Sequence, residues 1–526
     1  MSKKEAGIPL PNEIEAVQAE RSGSETYGEI LKSSVLVGGS QMILIFFRLI
    51  RGKAMAYLLA PAGFGLFSIY GSIEGLVEDI AGMGVSSSGV RQIAEAAGTG
   101  DKERIAQTAA VLQRTSLVLG ALGTIAMIVF SRQISIMTFG SPEHSWAVCM
   151  LSLAVILQIV SYGQDALLEG LRHIADFSKA KVLGFLFSTI ISLPIVYIFR
   201  EDGVVPSLVI FGVMTVLCSW WYRRKIKIHI PSLTASQVTQ EASALLKLGS
   251  VLMLSNLLQS SLAYMVRTLI LRKNGLEAAG LYQAAWTLGG MYVGFIIKAM
   301  AADFYPRLTA SASVNETCNR LVNEQARMGL LLAGPGVIAT LTFSPAIVTL
   351  LYTAKFVAGV EVLRWICLGT MLQVITWPMG YIVVAKNLGG IFFWCETACA
   401  AVYAALSWVC IESFGLKGAG IAFLGYCIFH GVLYYPIMRR VSGFLWSREN
   451  LRAGFAYLAV MAGVCCGFYL FPPLTATILG VAATLGSAVY SFRVLSTLVS
   501  LEQLPRPLRR LIAKAGLAPS QAESSD

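Results

Sequence analysis

The chain has 526 residues, of which 56% are hydrophobic and 13% charged, and its mean hydropathy is +0.67. A soluble domain carries about a quarter charged residues, so this composition excludes a soluble enzyme or binding module and leaves a polytopic, all-α membrane protein. The formal net charge of +11 does not call for nucleic acid, because a basic inner rim facing anionic lipid accounts for it.

The first 30 residues are polar and acidic and lack the apolar core of a cleavable signal. The first span is therefore expected to act as its own insertion signal. Apolar runs bounded by charge, Gly or Pro predict fourteen transmembrane helices. Six lie near 31–59, 63–91, 104–130, 145–170, 176–199 and 203–222. Six more follow near 244–271, 278–303, 322–352, 359–386, 390–412 and 417–438, and two near 453–471 and 474–498. The resulting domains are a cytoplasmic tail (1–30), an N-terminal six-helix bundle (31–222), a basic cytoplasmic linker (223–243), a C-terminal six-helix bundle (244–440), helices 13 and 14 (453–498), and a second cytoplasmic tail (499–526). With the N-terminus inside, the basic stretches SWWYRRKIKIHIPSLTASQVTQEA and LPRPLRRLIAKAGL fall on the inner side with most of the Lys and Arg. Both termini are thus predicted to be cytoplasmic, on a multi-pass protein of the inner or plasma membrane.

A shift of 215 residues aligns Leu31-Lys32 with Leu246-Lys247, Ser40 with Ser255, Gly65-Leu66-Phe67 with Gly280-Leu281-Tyr282, and Gly75 with Gly290. An even number of spans in each half predicts parallel repeats related by an axis along the membrane normal, the arrangement that encloses a central substrate cavity. Pro194, Pro206, Pro335 and Pro378 fall within spans, where proline commonly kinks a helix.

Depth decides which charges matter, because cations near helix ends snorkel to the interface. The first two spans meet at APAGF, residues 60–64. At 1.5 Å per residue, Arg48 and Glu74 both lie ~16 Å below that hairpin, Arg51 ~12 Å, and Glu78 and Asp79 ~22–24 Å. Arg48–Glu74 is the most obvious pair, while Arg48 with Arg51 and Glu74 with Glu78 each share a helix face. Arg114 is ~15 Å inside the third span. This concentration reads as a hydrated cavity lined by paired and spare cations rather than as structural ion pairs alone, since buried pairs stabilise poorly. Lys53, Arg267 and Lys298 lie nearer span ends and are expected to snorkel. Asp165, with Glu169 one turn on, is placed to take a coupling H+ or Na+ or to make an interfacial hydrogen bond.

Nine of the ten cysteines fall in predicted spans and Cys318 in a predicted loop. Their spacing, including Cys395 and Cys399 on one helix face, reads as apolar packing rather than a disulfide or zinc framework. The four histidines do not cluster in sequence, so neither a metal nor a cofactor is expected. No GxxxxGK[ST] phosphate loop occurs, so direct use of ATP by this chain is not expected.

The block GFGLFSIYGSIEGLVEDIAGMGVSSSGVRQIAEAAGTGDKERI, residues 63–105, resembles the N-terminal signature of the Wzx-type polysaccharide-biosynthesis flippases of the MOP superfamily. The matching features are Gly63-Phe64-Gly65, Gly82 with Gly84, and Val90-Arg91-Gln92-Ile93-Ala94-Glu95. The resemblance implies two six-helix bundles alternating access around a cationic cavity. The cargo it implies is a lipid-linked oligosaccharide, held by pyrophosphate on a polyprenol, moving from the cytoplasmic to the outer leaflet. By position it makes Arg48 and Arg51 the first-span cations and Lys298 the eighth-span cation that peptidoglycan-precursor flippases carry. It also implies that spans 13 and 14 shelter a lipid tail.

The residues agree with a phosphate cargo, because the planar guanidinium binds phosphate and stays charged at any accessible pH. Arg48, Arg51, Arg114 and Lys298 are accordingly the candidate substrate cations. Glu74, Glu78, Asp79 and Asp165 are the candidate ion-pair or coupling residues. Membrane lipids, polysaccharide polymerase and chain-length machinery are the expected partners, and O-antigen, capsule or exopolysaccharide the expected product. The nearest rival is a MATE-like, cation-coupled antiporter of small molecules, whose cavity would favour negative and aromatic walls over deep arginines. A membrane polymerase or ligase is the enzymatic rival. It would need a long external loop, whereas the external connections here are short and carry only His144 among histidines.

Overall fold

The structure, a computed structural model, describes residues 11–226 and 234–498; in some helical stretches, among them 11–38 and the position of Lys298, it describes the helix but not the side chains. The described residues form helices and short turns without a strand. In chain order these are α1 (Pro11–Gly82), α2 (Val85–Thr99), α3 (Lys102–Val129), α4 (Ser131–Phe139), α5 (Ser145–Gly170), α6 (Ile174–Phe199) and α7 (Val204–Arg223). The second half holds α8 (Ala235–Ala310), α9 (Asn315–Thr342), α10 (Ser344–Leu351), α11 (Val360–Ala385), α12 (Gly389–Phe414), α13 (Leu416–Ser442), α14 (Arg448–Leu470) and α15 (Pro473–Leu498). Among the described residues, eight helical stretches are long and apolar enough to cross a membrane, and a ninth if α9 and α10, bent by 82°, count as one. The chain is therefore a multi-pass, all-helical membrane protein.

The two longest helices each break once. In α1 the break is at Ala60 (φ 55°, ψ −177°), and in α8 at Gly275 (φ 86°, ψ 176°). The breaks are 215 residues apart, the shift seen in the sequence. Each turns the chain into a hairpin, and the two hairpins pack directly on one another. Two backbones come so close there that a methyl group at Gly65 would overlap the Leu276 carbonyl, and one at Gly280 would overlap the Pro61 carbonyl. Only glycine allows backbones to approach this closely. About one turn deeper, Ser68 Oγ donates to Gln283 Oε1 at 2.8 Å. Gly65 with Gly280 and Ser68 with Gln283 are again pairs 215 apart, as expected if equivalent residues face each other across a pseudo-two-fold axis.

Aromatic rings close this end from above. Phe64 meets Tyr352 and Phe356 with ring centres 5.6 Å apart in each case. At the side, Arg272 Nη2 donates to the carbonyl oxygens of Ile136 and Met137, tying α8 to α4. The second half of α1 then runs down α8 to the opposite end, where Gly84 (φ 62°) packs on the backbone of Gly249.

Three expectations change. The second span, predicted near 63–91, ends at Gly82, and a turn through Met83 and the left-handed Gly84 starts the separate helix α2. The ninth, predicted near 322–352, is two helices meeting at a sharp bend. Cys318 sits buried on α9 rather than in a loop. Pro206 lies in the first turn of α7, where its missing N–H costs nothing.

Candidate functional site

Arg51 is the centre of a buried set. Its side chain is 7% exposed, and its guanidinium carbon lies 5.8, 5.5 and 5.3 Å from the ring centres of Phe67, Phe185 and Phe211. These rings come from α1, α6 and α7, so Arg51 points into the interior of the N-terminal half. Electrostatic attraction from an aromatic face is worth ~0.5–2 kcal/mol, which offsets only part of the cost of burying a cation. Glu74, 6% exposed, attracts Arg51 across the two arms of α1 and offsets a further part. Arg51, rather than Arg48, is thus the cation that Glu74 attracts, with no hydrogen bond or ion pair joining them among the described residues. Depth follows from counting residues, but Arg48 and Arg51 differ by 60° around the helix, and packing against α6 and α7 selects the latter.

Glu74 and Glu78 stand one helical turn apart on the second arm of α1, close enough for their charges to interact. Glu78 Oε2 also accepts a hydrogen bond from Tyr162 on α5 at 3.2 Å. Asp79 faces another way. It accepts a hydrogen bond from Ser260 on α8, so it joins the two halves of the chain instead of holding an arginine.

Asp165, 4% exposed, has a full set of partners. Lys181 Nζ from α6 stands 2.5 Å from Oδ2, Ser219 from α7 donates to Oδ1 at 2.7 Å, and Ser161 donates to Oδ2 at 3.4 Å. Lys181 also lies 5.4 Å from the Tyr162 ring centre, which carries the network back toward Glu78. Neither Lys181 nor Tyr162 was singled out from the sequence. Lys181, seven residues into α6, was open to depth counting, whereas Tyr162 gives no signal in an aromatic-rich span.

Arg48 and Arg114 behave differently. Both are exposed, and neither makes a hydrogen bond or ion pair among the described residues. Arg114 is twelve residues into the 28-residue α3, and α3 packs against α1. Lys53 is exposed as well, while the side chain of Lys298 lies outside the described residues.

Arg267 does not snorkel as expected. It turns inward, and Nε donates to Gln283 Oε1 at 3.0 Å and to Ser68 Oγ at 3.2 Å, while Nη1 donates to the Ala263 carbonyl at 2.9 Å. Gln283 passes the chain on to Thr287 at 3.1 Å. A charged, hydrogen-bonded crosslink therefore sits directly beneath the packed hairpins. Among the described residues, no group of three or more His, Cys, Asp or Glu is arranged to hold a metal.

A family model described as "Polysaccharide biosynthesis protein" matches residues 54–361. The lipid III flippase of Escherichia coli (strain K12) is 20% identical over 426 residues, covering 80% of this chain and 99% of that protein. An inward-facing multidrug resistance MATE family transporter of the MOP superfamily superposes with a TM-score of 0.64 at 16% identity, over 76% of this chain and 94% of its own. Lipid II flippase MurJ in an inward closed conformation gives 0.62 at 15% identity, over 88% of this chain and 99% of its own. The fold is that of MOP-superfamily transporters and flippases.

Proposed function

The chain belongs to the polysaccharide biosynthesis protein family, and from that premise we propose that it is a flippase for a polyprenyl-pyrophosphate-linked oligosaccharide. In this reading the cargo moves from the cytoplasmic to the outer leaflet and feeds assembly of a surface polysaccharide. The arms of α1 and α8 count as two spans each. With α3, α5, α6, α7, α9, α11, α12, α13, α14 and α15 they make fourteen, six in each bundle and two beyond. The hairpin end is external, and both termini are cytoplasmic.

One observation carries the choice of an anionic cargo: Arg48 and Arg114 are exposed and unpartnered, among the described residues, inside predominantly apolar runs of their helices, 41–50 and 109–129. A guanidinium facing hydrocarbon costs at least ~2.5–3.5 kcal/mol. Two of them, on α1 and α3, are accounted for by a water-filled path, and along that path they meet the pyrophosphate or acidic sugars of the cargo. A cationic drug would be repelled by the same wall. Arg51, enclosed by phenylalanines, acts from behind that wall, and Lys298 is retained as a cation of the C-terminal half.

The test is mass spectrometry of polyprenyl-pyrophosphate-linked sugars in cells lacking the gene, with surface polysaccharide followed in parallel. Complete repeat units should build up on their lipid while surface polymer is lost. Unchanged lipid-linked sugars would reject the flippase and favour an antiporter of small solutes on the same fold.

A further inference from the structure

At the end of the N-terminal half away from the hairpins, α3, α5 and α7 leave a cavity of about 180 Å³ between them. A single water needs only ~10–15 Å³, so there is room for a larger polar group. Ala109 and Ala110 of α3 and Leu167 of α5 form its apolar side, and Ile226, just past α7, adds to it. The end of α7 supplies the other side with Trp220, Arg223 and Arg224. None of the candidate substrate or coupling residues lines this cavity.

The charges lining it are all of one sign. Arg224 stacks on Trp220, its guanidinium carbon 5.4 Å from the ring centre, and beside it Lys225 Nζ lies 4.3 Å from the ring centre of Tyr222. Arg223 is half-buried, and its side chain has neither a hydrogen bond nor an ion pair among the described residues. No carboxylate lines the cavity, and Asp176 on the neighbouring α6 faces His173 at 3.8 Å instead. A guanidinium offers five N–H donors, and leaving them unmet in a half-buried place costs more than pairing them with an anion. The level of the cavity in the membrane follows from helix length. α7 has 20 residues, about 30 Å of helix and the thickness of the hydrocarbon core. Its end therefore stands at the height of the lipid headgroups. Trp220 and Trp221 are both exposed there, as amphipathic rings at a membrane interface are. Leu217, one turn back, is exposed as well and gives an acyl chain a surface to lie on.

We propose that this cavity binds the phosphodiester headgroup of an anionic membrane lipid, with Arg223 as the principal phosphate ligand and Arg224 as the second. The planar fork of a guanidinium matches phosphate oxygens, and its weak hydration suits a half-buried site. Basic pockets between transmembrane helices hold anionic headgroups on the same grounds. A soluble phosphate compound shares the headgroup chemistry but leaves Leu217 and Trp221 uncovered, so the lipid is the occupant the geometry favours. The site does not rest on the transport reading above; only its placement in the inner leaflet does. Ile226 also packs on the apolar cluster that α2, α3 and α5 share with Leu245 of α8. A bound headgroup therefore braces the end of α7 at the point where the connection to the second half begins.

Native mass spectrometry of the purified full-length protein, titrated in detergent with phosphatidylglycerol or phosphatidylcholine of the same acyl chains, tests the site. The first phosphatidylglycerol should bind the wild type at least about tenfold more tightly than phosphatidylcholine does. Arg223→Ala should remove that preference. Arg223→Lys should keep part of it, because an ammonium offers the charge without the fork. Ala110→Leu, which fills the cavity from α3 and leaves every charge in place, should also remove it. Arg452→Ala, which deletes an exposed arginine of α14, should not. In thermal unfolding, phosphatidylglycerol should raise the midpoint of the wild type and leave that of Arg223→Ala unmoved, which separates lost binding from lost folding. Equal binding of the two lipids, or equal losses in Arg223→Ala and Arg452→Ala, would overturn the proposal. A preference retained by Ala110→Leu would put the lipid outside the cavity and overturn it likewise. Displacement of the lipid by an equal concentration of glycerol 3-phosphate would overturn it in favour of a soluble phosphate ligand.

Discussion

An exposed guanidinium within an apolar helix must keep water or an anion beside it, and Arg48 and Arg114 have nothing else among the described residues. Hydrogen bonds to a charged group are worth ~1.5–3 kcal/mol, roughly ten- to a hundredfold in affinity. Arg48→Ala should therefore lower surface polymer by at least about tenfold while the protein still inserts, and Arg48→Lys should retain part of the activity. Normal export by Arg48→Ala would remove Arg48 from the path. Asp165 calls for a different experiment, because its partners are structural. Asp165→Ala leaves the buried Ser219 hydroxyl without its acceptor and the part-exposed Lys181 without its anion, and should cost about 1–3 kcal/mol. Asp165→Asn, which keeps an acceptor for Ser219, should cost markedly less. Thermal unfolding in detergent separates them, and equal losses would mean that the acceptor for Ser219 contributes little. What was legible at this scale was depth, since the helical rise is fixed. Partner choice was not, because the azimuth of Arg51 or Arg267 has meaning only once the neighbouring helices are in place.

Among the helices, the breaks in α1 and α8 are equivalent in sequence and in geometry but differ in residue. Gly275 adopts its positive φ freely, whereas Ala60 holds a conformation (φ 55°, ψ −177°) that is almost confined to glycine. Such strain costs on the order of 1–3 kcal/mol, and glycine gives back ~0.5–1 kcal/mol through its freer unfolded chain. Ala60→Gly should thus raise stability by about 1 kcal/mol, and Gly275→Ala should lower it. A lower thermal midpoint for Ala60→Gly would mean that the break is not strained. The APAGF stretch announced a hairpin from sequence because Pro and Gly punctuate an apolar run. The end of the second span was less visible, because α2 continues the alternation of small apolar and polar residues past Gly84 with only one turn between.

For the whole molecule, the repeat proved more informative than its low identity promised, since Ala60 with Gly275, Gly65 with Gly280 and Ser68 with Gln283 all obey one shift. What the shift alone could not tell was that the last two pairs touch, because contact across an axis depends on how the halves are seated. The contact has a mechanical consequence. With the hairpins packed, the Phe64–Tyr352–Phe356 rings above and the Arg267–Gln283–Ser68 bonds below, one end of the molecule is sealed. Any cargo that enters between the halves from the opposite end leaves through this seal only if Gly65 and Gly280 part. Ser68→Cys with Gln283→Cys, joined by a short bifunctional thiol reagent, should therefore arrest export, and cleaving the linker should restore it. Either cysteine alone should be tolerated, since Arg267 keeps the other partner. Gly65→Ala acts in the opposite sense, because its methyl group has no room against the Leu276 carbonyl. It should make a cysteine at position 68 react faster with an impermeant thiol reagent added from outside. Export that continues with the two halves cross-linked would show that the cargo takes another route, and the seal would then be a static joint rather than a gate.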